Sequence, residues 1–199
     1  MEYLSCLNSI QYLNRASKEQ LNTLAKILFK FIEDNTKNSE IVKIEGGIVS
    51  KKFESVKKLT GIKTLDQIFE KYYVDEFELP IGLCHGDLTL SNILFSQNSN
   101  EIVVIDFLDS FVESPIIDIA KIRQDTKHKW TTFIYAKHYD KNKIEISLEY
   151  LDNKLDSMFQ EFFFYKYYKL FQFMNLARIL PYSRNQKTTD YLMKEICSI

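Results

Sequence analysis

The 199-residue chain has few of the residues that form tight turns, with only 5 glycines and 3 prolines. Sandwiches and barrels of many short strands need frequent turns, so this scarcity argues against such folds and favours helices. The 3 cysteines form no C-x-x-C pair, which predicts neither a disulfide framework nor a thiolate zinc site. Reduced thiols in a cytoplasmic protein are the simplest interpretation.

Long apolar segments and a large charge of one sign are also missing. The most apolar stretch, residues 158–180, is interrupted by charged side chains and does not predict a membrane span. The N-terminus has no basic segment followed by an apolar one, so no signal peptide is predicted. A formal net charge of -1 offers no clustered basic excess for nucleic-acid phosphates. We therefore expect a cytoplasmic protein with no nucleic-acid or membrane partner.

What the chain does contain is enough apolar material for a core, arranged mostly with helical periodicity. Hydrophobic residues make up 45 % of the sequence. The capping-box pattern of residues 17–20 predicts a helix that ends within residues 34–38. A second such pattern at residues 64–67 predicts a short helix. Residues 159–180 are apolar on nearly all sides, which is typical of a buried helix.

Strands are expected in only a few places. Gly46 and Gly47 lie between two short apolar runs and suggest a small hairpin. Residues 92–95 and 101–105 predict a second hairpin around a polar turn. Residues 144–150 alternate in polarity, so a short strand is an alternative to a helix there.

One segment carries chemically active residues in a recognisable order. His85, Gly86 and Asp87 are followed by Asn92 and, after the second hairpin, by Asp106. This is the H-x-D-x-x-x-x-N pattern of a kinase catalytic loop, followed by a metal-binding aspartate. In such a site one carboxylate must reach the substrate hydroxyl, while an amide and a second carboxylate reach the metal ions that bridge the nucleotide phosphates.

Gly86 stands where protein kinases have arginine, and with it the segment resembles the aminoglycoside phosphotransferase and choline kinase-like family. Residues 114–120 are similar to that family's Pro-x-x-Asp-Leu-Ala helix start. The resemblance implies a mainly α (α+β) fold, a protein-kinase-like C-terminal lobe that is helical with a small catalytic-loop β-hairpin. It also implies a small-molecule kinase that uses Mg²⁺ and ATP or another nucleoside triphosphate.

The resemblance assigns a role to each residue of the motif. Asp87 would orient and deprotonate the acceptor hydroxyl, and His85 would position the loop around it. Asn92 and Asp106 would hold magnesium. Asp118 would be a buried carboxylate that supports the catalytic loop and does not react itself.

The first residues look like the family's hinge, and the nucleotide-covering N-lobe is missing from the pattern. Residues 1–10 form the hinge-like segment, in which Met1, Glu2 and Tyr3 would contact the nucleotide. Gly46 and Gly47 lack the G-x-G-x-x-G spacing of a nucleotide-covering loop. We expect one domain over residues 1–199, a hinge plus C-lobe, with the catalytic loop, hairpin and metal-binding segment in residues 81–120. The expected partner is a separate N-lobe polypeptide, or a second copy of the chain that meets it through apolar residues near the N-terminus.

Other polar and reactive residues have simpler interpretations. Cys84 is expected in the core, and Asp109 on a loop near the site. His128 and His138 are expected on the surface. Asp109 and Glu113 would suit a cationic acceptor.

The expected reaction is transfer of the ATP γ-phosphoryl group to a hydroxyl of a sugar, aminoglycoside or amino alcohol. One alternative is a catalytically inactive kinase-like binding module, but Asp87, Asn92 and Asp106 are all retained. Another is a metal-dependent phosphohydrolase, which needs more histidines in ligand motifs than the chain offers. The acceptor itself is not specified by the sequence.

Overall fold

The computed structural model describes residues 6–96, 101–135 and 139–199, and it confirms a mainly helical fold. The strands are β1 (Cys6–Leu7), β2 (Glu40–Glu45), β3 (Glu76–Ile81), β4 (Ile93–Ser96) and β5 (Ile102–Val104). The helices are α1 (Ser9–Leu13), α2 (Lys18–Lys37), α3 (Gly47–Thr60), α4 (Thr64–Tyr72), α5 (Pro115–Thr126), α6 (Trp130–Tyr135), α7 (Lys141–Phe159), α8 (Tyr168–Ala177) and α9 (Gln186–Cys197). Short 3-10 turns lie at Leu90–Asn92, Phe163–Tyr167 and Leu180–Tyr182.

The two predicted capping boxes have different outcomes. At the start of α2, the Ser17 side chain accepts a hydrogen bond from the Gln20 N–H, and the Gln20 side chain accepts one from the Ser17 N–H, as predicted. The second helix, α4, exists, but its capping box is wrong. Thr64 is already helical and the preceding Lys63 forms no side-chain cap. A capping box requires an extended residue before the helix, which Lys63 is not.

The strands form two small antiparallel sheets. The hairpin predicted at Gly46 and Gly47 is wrong, because β2 pairs with the distant β3 and Gly47 begins α3. Gly46 lies so close to the carbonyl of Val74 that an added Cβ would be 2.4 Å from that oxygen. The hairpin of β4 and β5 is confirmed, and β1 adds a third strand to it. Its turn, residues 97–100, lies outside the described residues.

The core is organised around α5, in which every residue is buried. α5 packs against α8, α7 and α2. The alternating residues 144–150 belong to α7 and form no strand. The apolar block predicted as one helix divides into the end of α7, a 3-10 turn and the buried α8. In the described part of the chain, no helix combines the length and apolar character needed to cross a membrane.

One buried ion pair connects two of these central helices. The guanidinium of Arg123 in α5 donates two hydrogen bonds to Asp152 in α7, at 3.0 and 2.8 Å. Its remaining nitrogen contacts Asp156 and the hydroxyl of Tyr165. A bidentate pair of this kind fixes the relative position of two helices, since removing one partner leaves a buried charge without a counterion. The orientation of α5 matters because its other face supports the candidate site.

Candidate active site

The catalytic-loop histidine is a buried structural residue. His85 has no exposed surface, and its Nε2 lies 2.8 Å from the carbonyl oxygen of Ile105. Its Nδ1 accepts a hydrogen bond of 3.2 Å from the Asp87 N–H. These contacts place the ring proton on Nε2 and leave neither nitrogen free for a substrate. His85 therefore positions the loop against the segment that carries Asp106.

Asp118 lies beneath the same loop. Its two carboxylate oxygens accept hydrogen bonds of 2.8 Å from the N–H groups of His85 and Gly86. The carboxylate comes from the first turn of α5, after the Ser114-Pro115 helix start. Burial raises the pKa of Asp118 to about 7, although the two N–H donors lower it. This geometry supports the structural role that the resemblance implies for Asp118.

Gly86 is required by the shape of the loop. Its φ of 76° lies in the left-handed region that side chains disfavour. A Cβ built on Gly86 would lie 1.8 Å from the carbonyl oxygen of Leu108. The Leu108 N–H also donates a hydrogen bond of 2.9 Å to the His85 carbonyl. The loop that is expected to be catalytic and the segment that follows Asp106 are thus in direct backbone contact at the glycine.

The carboxylate of Asp87 is held from two sides. Asn92 donates from Nδ2 to the carboxylate oxygen Oδ2 at 3.0 Å and to the Asp87 carbonyl at 2.9 Å. Lys121, from α5, places its ammonium nitrogen 2.7 Å from Oδ1. The lysine is buried, whereas the Asp87 carboxylate remains partly exposed at a cavity. A partly exposed carboxylate with a fixed orientation is suited to accept a proton from a substrate hydroxyl.

The sequence analysis missed Lys121 and Asp125, which lie on the same helix as Asp118. Asp125 is fully buried, and its oxygens accept hydrogen bonds from the N–H groups of Leu90 (2.6 Å) and Thr131 (3.1 Å). Burial raises its pKa to about 6. Helical spacing was the available signal, because positions three, four and seven residues apart share one helix face. The face of α5 that begins with Asp118 therefore continues through Lys121 to Asp125.

The two expected metal ligands lie at the ends of neighbouring strands. The Ile105 N–H donates a hydrogen bond of 3.0 Å to the Asn92 carbonyl, which places Asp106 beside the loop. Asp106 is exposed and has a φ of 62°, an uncommon conformation for a residue other than glycine. The amide nitrogen of Asn92 is bound to Asp87, so its oxygen is the atom available to a cation. Carboxylate and amide oxygens are ligands that Mg²⁺ accepts.

These two ligands do not make a complete metal cage. Among the described residues, no group of three or more His, Cys, Asp or Glu side chains could hold a metal ion. Magnesium usually keeps few protein ligands and completes its shell with water and substrate phosphates. The residues therefore fit a magnesium ion that arrives with a nucleotide, and they do not fit a site of the phosphohydrolase kind.

Two cavities share Arg178 and Tyr182 as lining residues. One, of about 340 Å³, is lined by Asp87 and Lys121. The other, of about 290 Å³, is lined by Asp109, which was expected on a loop near the site. A cavity beside a positioned carboxylate provides space for a small-molecule acceptor.

The remaining sequence-based assignments have mixed outcomes. Cys84 is buried as expected, and burial raises the pKa of its thiol. The surface position predicted for His128 is wrong. Its side chain is buried and its Nδ1 lies 2.9 Å from the Glu195 carboxylate, because α9 covers it. Met1, Glu2, Tyr3 and His138 lie outside the described residues.

The fold is consistent with a mainly helical, protein-kinase-like C-lobe. Residues 53–139, a little under half of the chain, match the family model described as the phosphotransferase enzyme family, APH. The resemblance found in the motifs is thus confirmed for the part of the chain that contains Asp87, Asn92 and Asp106. No curated protein matched the chain.

Proposed function

We propose that the protein is a magnesium-dependent kinase that transfers the γ-phosphoryl group of ATP to a hydroxyl of a small molecule. Sugars, aminoglycosides and amino alcohols are the acceptor classes that the family resemblance offers. The observation that carries the proposal is the Asp87 carboxylate, oriented by Asn92 and Lys121 at the mouth of a cavity. The family match supports the reaction class. A cytoplasmic location stays a prediction.

The proposed reaction is an in-line displacement at the γ-phosphorus. The acceptor oxygen forms the new O–P bond while the bond to the bridging oxygen breaks, and ADP leaves with that electron pair. The hydroxyl proton passes to the Asp87 carboxylate, which is partly exposed at the cavity. Because Asn92 and Lys121 fix the carboxylate before the acceptor enters, little reorganisation is needed at the moment of transfer.

Asn92 and Asp106 would hold the magnesium ion, and His85 with Asp118 would keep the loop in register. Bound with the nucleotide, magnesium would supply charge neutralisation of the phosphate oxygens. The exposure of Asp106 supports this role, since a carboxylate that holds a nucleotide-borne metal must face outward from the lobe. The alternative of an inactive binding module gains no specific support from the loop, because Asp87, Asn92 and Asp106 are all present in the sequence.

A separate N-lobe, or a second copy of the chain, remains our proposal for the partner. Beside the catalytic loop, Leu83, Phe107 and Leu108 are 69 %, 54 % and 54 % exposed. Large apolar side chains next to a nucleotide site are unfavourable in water and favour a covering surface. Leu7, one of the apolar residues near the N-terminus, is partly buried against the core. Among the described residues that precede the catalytic loop, no two strands are joined by a glycine-rich loop that could cover a nucleotide.

The partner proposal is tested on the purified 199-residue chain. We expect weak ATP binding and little turnover, together with either a solution mass above that of one chain or turnover that an added N-lobe polypeptide restores. High turnover by a strict monomer would contradict this proposal and leave the reaction class intact.

The reaction is tested by following label from [γ-³²P]ATP into acceptors. The panel contains a neutral sugar, an amino sugar, an aminoglycoside and an amino alcohol, each assayed with and without Mg²⁺. We expect labelled product from at least one hydroxyl compound, dependent on magnesium and reduced in Asp106→Asn. Release of inorganic phosphate without an acceptor product would favour a hydrolase. A folded, nucleotide-binding assembly that labels nothing would favour the inactive module.

A further inference from the structure

The cavity beside Asp87 has a lining that bears on the acceptor. Its volume of about 340 Å³ is in the range of small-molecule sites. The loop contributes the hydroxyls of Thr89 and Ser91, and α5 contributes Lys121. Arg178, just after α8, completes the charged part of the wall. Its hydroxyl and charged groups suit a polar molecule.

The carboxylates of this cavity are already bound by the protein. Asp87 contacts Lys121 and Asn92. Asp125 is fully buried and accepts the N–H groups of two backbone segments. A cationic acceptor needs a carboxylate with free oxygens, and neither of these two offers a complete one.

Asp109 and Glu113, which the sequence suggested for a cationic acceptor, do not supply a free carboxylate to this cavity either. Glu113 accepts hydrogen bonds from the Cys84 thiol at 3.3 Å and from the Ser110 N–H at 2.5 Å, so its charge is used inside the fold. Asp109 lines the neighbouring cavity and not the one beside Asp87. The site is therefore poorly suited to an amino-bearing acceptor.

Arg178 is the group whose partner is missing from the described structure. The residue is partly buried and lines both cavities. Within residues 6–96, 101–135 and 139–199 it has no hydrogen bond or ion pair through its side chain, although its backbone N–H is bound to the Met174 carbonyl. A partly desolvated guanidinium is costly unless an anion pairs with it.

Lys121 and Arg178 place two positive charges at the same cavity. Both line the same cavity, and the pKa of Lys121 is lowered first by burial and next by the positive charge of Arg178. The two cations thus repel each other, while Asp87 faces only the lysine directly. An anion between them would relieve this repulsion.

We propose that the acceptor of the phosphoryl group carries an anionic substituent, a carboxylate or a phosphate, and that Arg178 binds it while the acceptor hydroxyl faces Asp87. This inference deepens the proposed kinase function and rests on it, because the bound molecule is an acceptor only if phosphoryl transfer occurs. A guanidinium presents paired N–H donors that match the oxygens of carboxylate and phosphate groups. Among the acceptor classes above, the proposal favours acidic or phosphorylated sugars over aminoglycosides and amino alcohols.

The test measures equilibrium binding without nucleotide, so it does not depend on phosphoryl transfer. The probes are glucose, glucosamine, glucuronate and glucose 6-phosphate, which share a ring and differ in charge, with inorganic phosphate as a probe that has no ring. We expect at least one anionic probe to bind about tenfold or more tightly than glucose, because a charge-assisted hydrogen bond adds that much. The preference should disappear in Arg178→Gln and be reduced in Arg178→Lys, which keeps the charge without the planar fork.

Arg184→Gln is the matched control, because Arg184 is an exposed arginine a few residues further along that lines neither cavity. It should retain the preference. If Arg178→Gln does not fold, the outcome is decided by Arg178→Lys. A preference for glucosamine, or the absence of binding by every anionic probe at millimolar concentration, would overturn the proposal. So would an Arg178 variant that loses MgATP affinity and keeps its affinity for the anionic probes, since Arg178 would then serve the nucleotide.

If no acceptor is phosphorylated but the anion preference is present, the kinase reaction fails and the anion site stands. If phosphoryl transfer occurs to neutral or amino sugars with no anion preference, the kinase reaction stands and the anion site fails. The two failures are therefore distinguishable.

Discussion

The ammonium nitrogen of Lys121 lies 2.7 Å from the Oδ1 atom of Asp87, and the two side chains are 6 % and 23 % exposed. The pair joins the catalytic loop to the most buried helix of the fold, α5. A carboxylate on a loop would otherwise sample several rotamers. Because α5 is fixed by the core, Lys121 and Asn92 together hold Asp87 in one orientation towards the cavity.

The pair predicts a measurable coupling between the two residues. We expect Asp87→Asn and Lys121→Gln each to lower the free energy of unfolding, and the double variant to lose less than the sum. The coupling should be about 0.5–3 kcal/mol, since each single variant leaves a partly buried charge without its partner. Urea unfolding of the four proteins measures it. The exposed pair Lys43 and Glu76 provides the control, with a coupling near zero. Strictly additive changes at positions 87 and 121 would show that the contact contributes nothing.

The conformation of Gly86 predicts that even a methyl group at this position destabilises the protein. Gly86→Ala would need a positive φ, which costs about 1–2 kcal/mol, and a shift of the Leu108 carbonyl. We expect a loss of more than about 2 kcal/mol of unfolding free energy together with loss of activity. Gly47→Ala is the control, because no atom lies within 4 Å of its added Cβ. It should be neutral or stabilising, as alanine is favoured over glycine in a helix. Equal stability of the two variants in denaturant unfolding would refute this explanation.

The buried carboxyls Asp118 and Asp125 predict a pH dependence of stability. Burial raises the pKa of Asp118 from 3.8 to about 7 and that of Asp125 from 3.8 to about 6. At pH values between 3.8 and these raised pKa values, the folded protein keeps carboxyl protons that the unfolded chain has released. Their contribution to the free energy of unfolding is therefore complete below about pH 4 and is lost as the pH rises through 7.

The measurement compares wild type with Asp118→Asn and Asp125→Asn by urea unfolding at several values between pH 4.5 and about 7.5. We expect wild-type stability to fall more with rising pH than the stability of either variant, because an amide does not titrate. The difference between the slopes isolates the substituted group from other carboxylates. Parallel pH profiles in all three proteins would contradict the assignment of raised pKa values.

The sequence predicted those parts of the fold that depend on local pattern. The α2 capping box and the β4–β5 hairpin are each encoded by residues close together in the chain. The pairing of β2 with β3 was missed because it joins segments separated by two helices. Gly46 and Gly47 were interpreted as a turn, whereas a glycine is needed at position 46 because the backbone there lies close to the Val74 carbonyl. A close approach between distant segments leaves no periodic signal.

The same distinction holds at the site. The spacing of Asp87, Asn92 and Asp106 was sufficient to identify a kinase loop, because the reaction constrains those residue types. Lys121 and Arg178 were not identified, because Lys121 reaches the cavity from α5 and Arg178 from the end of α8, and tertiary packing sets the orientation of both helices. The buried position of His128 was missed for a similar reason, since α9 from the end of the chain covers it.

The central claim is that Asp87 accepts the proton of the acceptor hydroxyl during phosphoryl transfer. It is tested most directly by the turnover number of Asp87→Asn relative to wild type, in the assembly that transfers label from ATP. Asp75→Asn, an exposed aspartate outside both cavities, is the control. A positioned base contributes about 10²–10⁴-fold, so we expect the turnover of folded Asp87→Asn to fall by that factor and that of Asp75→Asn to stay unchanged. Near-normal turnover by a folded Asp87→Asn protein would contradict the account.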